Sequence, residues 1–398
     1  MIAKLLVVSA IWLVISVILA GVGALVRRAF GSRPADESDL CFDWWIGWAV
    51  TVAFLLAWHL ALAITVWAWF PIAVAGATGA WIARKDWARA VQPVLQRRSW
   101  LAGLIVLAWL AIAALTLGPE RQYDTALYHL QRVRWAQVYP VLPRLANVDF
   151  RFAMNSSFFL FGALVETIQI GGRSLRLAAG LLFLPLIIQG IVTLHAAVIG
   201  QRKMDSLRWF HVLMIPVALW QARQYSSSLS PDGVMFVLSV VLSAELLRIL
   251  RRNEALPEGI ETEADWNYRL FGIVLLAVTG ATVKISFAIF GAVVAGVALW
   301  QWSKTPTRQR AVLTRVIVTA IFVSALWMVH GIILSGYVAY PSPLVHSLLT
   351  GGFRGRSSKE RPSGSSPGRG VRERVHAMSS GTMNGWGAGS RTPSAIAM

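Results

Sequence analysis

Residues 2–26 read IAKLLVVSAIWLVISVILAGVGALV, and Arg27 and Arg28 follow at once. A helix needs ~20 apolar residues to cross a hydrocarbon core of ~30 Å, and this run supplies them with one charge, Lys4, near its start. It is too long for the apolar part of a cleaved secretory signal. The paired arginines close it as the positive-inside rule closes a span on its cytoplasmic side. The segment reads as an anchor that stays with the protein.

The same pattern recurs outward from this run. Further candidate spans lie at Trp44 to Ala63, Val66 to Ala83, Trp100 to Leu117, Arg176 to Ile199, Leu207 to Ala222, Val234 to Leu250, Leu270 to Val283, Ser286 to Trp302 and Val312 to Ser335. Two of them, Leu207 to Ala222 and Leu270 to Val283, are short and read as tilted or packed inside the bundle. Composition agrees. Of 398 residues 56% are hydrophobic and 14% charged, with 19 Trp and a mean hydropathy of +0.58, more apolar surface than one soluble core can hide. The expected fold is all-α, a polytopic transmembrane helix bundle of about ten spans with external amphipathic helices. The single Cys41 excludes a disulfide framework within the chain and offers no zinc or thiol-redox spacing.

The net charge of +18 would point a soluble protein toward nucleic acid. Here the charge follows the membrane instead. Arg27 and Arg28; Arg84, Lys85, Arg89, Arg97 and Arg98; Arg202, Lys203 and Arg208; Arg248, Arg251 and Arg252; and Lys304, Arg308 and Arg310 fall in every second connection, all cytoplasmic if the N-terminus is outside. That alternation requires that Ser156 to Ile170, closed by Gly171-Gly172-Arg173, is not a span but a helix along the outer surface.

Three regions follow: residues 1–99 with three spans, residues 100–341 as a membrane core with an external loop at 118–175, and residues 342–398. From Thr350 the last region turns to Gly, Ser, Arg and Pro and lacks apolar runs, a composition that buries too little to fold. Encoded as CTG ACT GGC GGG TTC CGG, Leu349 to Arg354 reads Asp-Trp-Arg-Val-Pro in a neighbouring frame. This motivates the hypothesis of a frameshift near Pro343 to Ser347. Resequencing tests it, and an intact frame without further spans downstream removes it.

The external loop departs from the charge rule by carrying Arg121, Arg132, Arg134, Arg144 and Arg151. Long translocated loops tolerate this; alternatively, guanidinium groups above a bilayer pair bidentately with phosphate. The loop opens with Glu120, Tyr123, Asp124, Thr125, Tyr128 and His129, and Thr125 to Tyr139 reads as an amphipathic helix at headgroup level. Asp124 is either its N-cap or a carboxylate acting on a headgroup. Asn155-Ser156-Ser157 reads as capping, and Pro231-Asp232 as a helix start. Lys284, between two apolar runs, is a functional candidate at membrane depth or a snorkelling side chain, and Glu166 shares that suspicion. His59, His195, His211 and His330 lie singly in apolar spans without metal spacing. No phosphate-binding Gly-Lys-Ser loop, Gly-x-Ser-x-Gly elbow or His-Glu-x-x-His occurs.

The series Tyr123 to His129, Asn155 to Ser157 and Ser335 to Pro341 resembles an uncharacterised branch of bacterial multi-pass proteins within the GT-C class of integral membrane glycosyltransferases. The resemblance covers Trp44 to Pro341. It implies a GT-C-like fold in the bacterial cytoplasmic membrane and an inverting transfer from a polyprenyl-phosphate sugar. It makes Asp124 the catalytic base or a carboxylate associated with a divalent metal, and Asp232 the later carboxylate. Lys284 with Arg132 or Arg134 would hold the donor phosphate, and Tyr123, His129 and Asn155 would line the substrate site. Membrane lipid and lipid-linked sugar are the implied partners, and nucleic acid is not. A transporter or lipid flippase, and a membrane protein without chemistry, are the competing expectations.

Overall fold

The structure is a computed structural model describing residues 2–34, 37–95, 99–169, 176–200, 204–251, 262–304, 309–338 and 340. The chain divides into Met1–Phe353 and Arg354–Met398; the tail and the proposed frameshift lie outside the described residues, as do Arg97, Arg98, Gly171-Gly172-Arg173, Arg202, Lys203, Arg252, Arg308 and Pro341. All regular structure described is helical. Twelve α-helices are described: α1 (Ile2–Ala29), α2 (Glu37–Ala61), α3 (Trp69–Leu95), α4 (Ser99–Thr116), α5 (Leu130–Val138), α6 (Phe158–Val165), α7 (Leu177–Val198), α8 (Ser206–Tyr225), α9 (Pro231–Arg251), α10 (Glu263–Val283), α11 (Phe287–Ser303) and α12 (Arg310–Ser335). Among the described residues eight helices (α1, α2, α3, α7, α9, α10, α11 and α12) are long and apolar enough to cross a membrane. This is a membrane protein.

Burial sorts these helices into a centre and a rim. The most apolar window of α10 is 89% buried, whereas those of α3, α11 and α12 are 28% buried. The rim helices present Phe70, Trp81, Ile289, Val293, Ile321 and Phe322 outward, side chains whose natural solvent is lipid. Inside, α1 packs on α2 and α3 at backbone contact: a Cβ at Gly21 would lie 2.0 Å from the Gly76 carbonyl oxygen, and one at Gly23 would lie 1.8 Å from that of Asp43. Such small-residue contacts replace hydrophobic drive between helices in lipid. The Trp12 indole donates to the Leu177 carbonyl at 3.1 Å, tying the first three helices to the core.

Every connection expected on the outside gathers at one end, called here the mouth. The Ile64 amide donates to Ala136 O (2.7 Å), Val141 to His59 O (2.9 Å), Arg144 to Ile333 O (2.8 Å) and Ser157 to Thr282 O (3.0 Å), while Ser227 Oγ donates to Pro119 O at 3.0 Å. The opposite, basic end holds a buried ion network. Arg27 meets Asp43 at 2.7 Å and Asp39 at 3.5 Å, and Arg269 bridges Asp39 and Glu245, the latter at 2.9 Å.

One expectation is corrected. The stretch after Ser156 is no span, but neither does it lie along the surface: all eight residues of α6 are buried, packed against α2, α5 and α7. The sequence FFLFGALV has no polar face to offer water, and a helix apolar all round belongs inside.

Candidate functional site

Past Thr116 the chain enters the mouth through residues 117–124. Glu120 organises this entry: its Oε1 accepts from the Arg121 and Gln122 amides (2.9 and 2.8 Å), and its Oε2 meets Arg176 at 2.9 Å. A π-helical turn, Thr125–His129, then leads into α5. Such a widened turn often occurs at functional sites, and this one buries Thr125, Tyr128 and His129. Thr125 is the joint: its hydroxyl lies 2.8 Å from Ser228 Oγ, accepts from the Leu229 amide at 3.3 Å and stands 3.5 Å from His129 Nδ1.

Asp124 stands at the head of this turn, exposed, and its side chain makes no capping hydrogen bond. Capping is therefore not its role. Asp124 and Asp232 both act electrostatically on His129 and Tyr128, and Lys284 acts on His129. The three charged groups come from the α4–α7 loop, the start of α9 and the end of α10. Lys284 is the C-cap of α10, half exposed and ion-paired with Asp232. Asp232 is steadied by Ser230, whose hydroxyl donates to Oδ2 at 3.3 Å.

Behind the charges the wall is neutral. Burial pulls His129 down to about 4, against the opposing pull of Asp124 and Asp232, so its ring is uncharged near neutral pH. Burial, reinforced by the same carboxylates, pushes Tyr128 up to about 12; its hydroxyl donates to Met154 Sδ at 3.6 Å. His129 packs against Tyr128 and Phe159, with ring centroids 4.3 and 5.1 Å apart. Tyr123 points outward, 79% exposed.

The remaining expected residues lie elsewhere. Asn155 donates to Trp327 O at 2.6 Å and its carbonyl accepts from the Trp327 indole at 2.7 Å, a clamp between the loop and α12. The arginines do not form one cluster: Arg151 pairs with Asp149 at 3.9 Å, Arg134 is exposed and acts on Glu166, and Arg132 is buried and acts on His59 and His330. His59 and His330 were expected to lie singly, but their rings stack 5.3 Å apart. No local spacing could have paired residues so far apart in the chain. Among the described residues no three His, Cys, Asp or Glu side chains are grouped closely enough to hold a metal ion by themselves, and no step is assigned to one.

A family model described as Domain of unknown function (DUF8201) matches residues 5–350. The chain belongs to this family. The match takes in every residue of the mouth and of the basic end named above, and it stops where the composition turns to Gly, Ser, Arg and Pro. No curated protein and no solved structure matches the chain.

Proposed function

We propose that the chain transfers a sugar from a polyprenyl-phosphate donor to an acceptor at the outer face of the bacterial cytoplasmic membrane, as a GT-C-like enzyme. In this reading α4 and α8 join the eight apolar helices as spans. Both pack against α7, and ten crossings keep the basic clusters on the cytoplasmic side. The observation that carries the reading is Asp124, an exposed carboxylate that makes no hydrogen bond or ion pair among the described residues and whose charge acts on the same His129 as the Asp232–Lys284 pair.

An acceptor hydroxyl oxygen attacks the anomeric carbon and Asp124 takes its proton. The bond from that carbon to the phosphate oxygen breaks, and the charge left on the lipid phosphate is met by Lys284. Neutral His129 and Tyr128 supply hydrogen bonds without competing for the proton. A single displacement of this kind inverts the anomeric centre. Asp124→Asn, assayed for glycan transfer in membranes, is expected to lower the rate by ~10²–10⁴-fold at unchanged protein level; unaltered transfer removes the proposed base.

The second reading, a transporter or lipid flippase, is favoured by the buried ion network, because ionisable groups inside a bundle mark transport paths as well as structure. Movement of lipid-linked sugar across vesicles that persists in Asp124→Asn while transfer stays absent in wild type would select it.

A further inference from the structure

Arg132 lies on the inward stripe of α5 with 8% of its surface exposed. Among the described residues it makes no hydrogen bond and no ion pair, and its Nε is sealed without a partner. Burial alone governs its acidity, pulling it down to about 10, with no carboxylate acting on it. An isolated buried ion costs several kcal/mol, so a lone guanidinium here calls for a counter-charge.

Its neighbours define that counter-charge. The charge of Arg132 acts on His59, at the end of α2, and on His330, near the end of α12. Their rings stack with centroids 5.3 Å apart and planes 18° from parallel. His59 Nε2 lies 3.2 Å from Tyr139 O, and His330 Nε2 lies 2.9 Å from Leu56 O. A carbonyl only accepts, so each Nε2 carries the hydrogen and each neutral ring keeps Nδ1 as a bare acceptor; the His59 Nδ1 is buried with no partner. An apolar cover of Val141, Leu145 and Leu334 with Trp135 and Phe152 sits over this end of α2, where the Val141 amide holds His59 O at 2.9 Å.

These three side chains thus offer guanidinium donors and imidazole acceptors, and no carboxylate acts on the guanidinium. A matching occupant is anionic yet still carries a hydroxyl: a singly protonated phosphate gives its charged oxygens to the guanidinium and its P–OH to an Nδ1. A phosphodiester or a sulfate lacks that hydroxyl.

We propose that Arg132, His59 and His330 form a binding site for a phosphate monoester or inorganic phosphate, distinct from the group of Asp124, Asp232 and Lys284. The site does not depend on the transfer reading, since it is read by binding alone.

The test uses the full chain in phosphatidylcholine nanodiscs and follows the unfolding midpoint. One arm adds inorganic phosphate against sulfate at equal ionic strength; the other replaces some phosphatidylcholine with phosphatidate, a monoester, or with phosphatidylglycerol, a diester. A rise with phosphate alone assigns a free ion, and a rise with phosphatidate alone or with both assigns a lipid headgroup; each supports the site. Arg132→Met is expected to weaken the response at least ~10-fold in ligand concentration while folding as well without ligand, because an unpaired buried charge has gone. His330→Asn is expected to lose the preference of phosphate over sulfate. Absence of any wild-type rise, an equal rise with sulfate or phosphatidylglycerol, or a rise retained in Arg132→Met overturns the proposal. The wild-type comparison decides even where a variant fails to fold.

Discussion

Two carboxylates at the mouth end, Asp124 and Glu166, have surroundings that give them opposite characters. Asp124 is open to solvent; Glu166 is 3% exposed. Burial pushes Glu166 up from 4.5 to about 7, with the nearby Arg176 and Leu177 amides and the charges of Arg176 and Arg134 offsetting only part of that. A carboxyl whose folded pKa is raised favours folding most below its unfolded value. The contribution is lost as pH climbs from about 4.5 through about 7, a loss on the order of 3 kcal/mol. Glu166→Gln is therefore expected to match wild type near pH 4 and to exceed it at pH 8 by that order, measured as the unfolding midpoint in detergent; a constant difference across pH removes the assignment. Asp124 and Glu166 were both legible as candidates, because each ionisable group follows an apolar run. Arg132 was not legible as a buried group. The inward stripe of its helix is Tyr128, His129, Arg132, Val133 and Ala136, a mixed face that gives no hydrophobic signal for which side turns in.

Helices here are placed by what covers them more than by their length. The sequence shows that α6 is too short to span, and its lack of any polar side chain signals burial more clearly than the surface position expected of it. The contacts of α1 were less legible, since a glycine in an apolar run looks the same whether it faces lipid or a neighbouring backbone. The structure separates the two cases. Gly23→Ala brings a methyl within 1.8 Å of the Asp43 carbonyl oxygen, whereas a Cβ at Gly103 of α4 meets nothing within 4 Å. Gly23→Ala is expected to lower stability by more than the ~1–3 kcal/mol of ordinary overpacking, because backbone must give way. Gly103→Ala is expected to be neutral or to gain up to ~1 kcal/mol of helix propensity. Recovery of folded protein after detergent extraction compares them, and equal yields would mean that α1 and α2 do not pack as described.

At the scale of the molecule, the alternation of basic clusters sorts the connections into two ends, since lipid imposes one periodicity on every span, and loops that it assigns to the outside bond to one another at one end. What it left out are the contacts among loops, which depend on residues brought together from distant parts of the chain. Sidedness is checked by labelling. In a Cys41→Ser background, Arg134→Cys is expected to react with a membrane-impermeant maleimide in intact cells, and Lys304→Cys only after permeabilisation; the reverse pattern would invert the protein. The ion network at the basic end has a further consequence, for the order of assembly. Arg27 and Asp43 belong to the first two helices and neutralise each other as that hairpin forms. Asp39 and Glu245 also emerge before Arg269, the side chain that bridges them. During synthesis the half-built bundle therefore carries excess negative charge in its interior, and the arrival of α10 is the event that converts a set of inserted helices into a closed one.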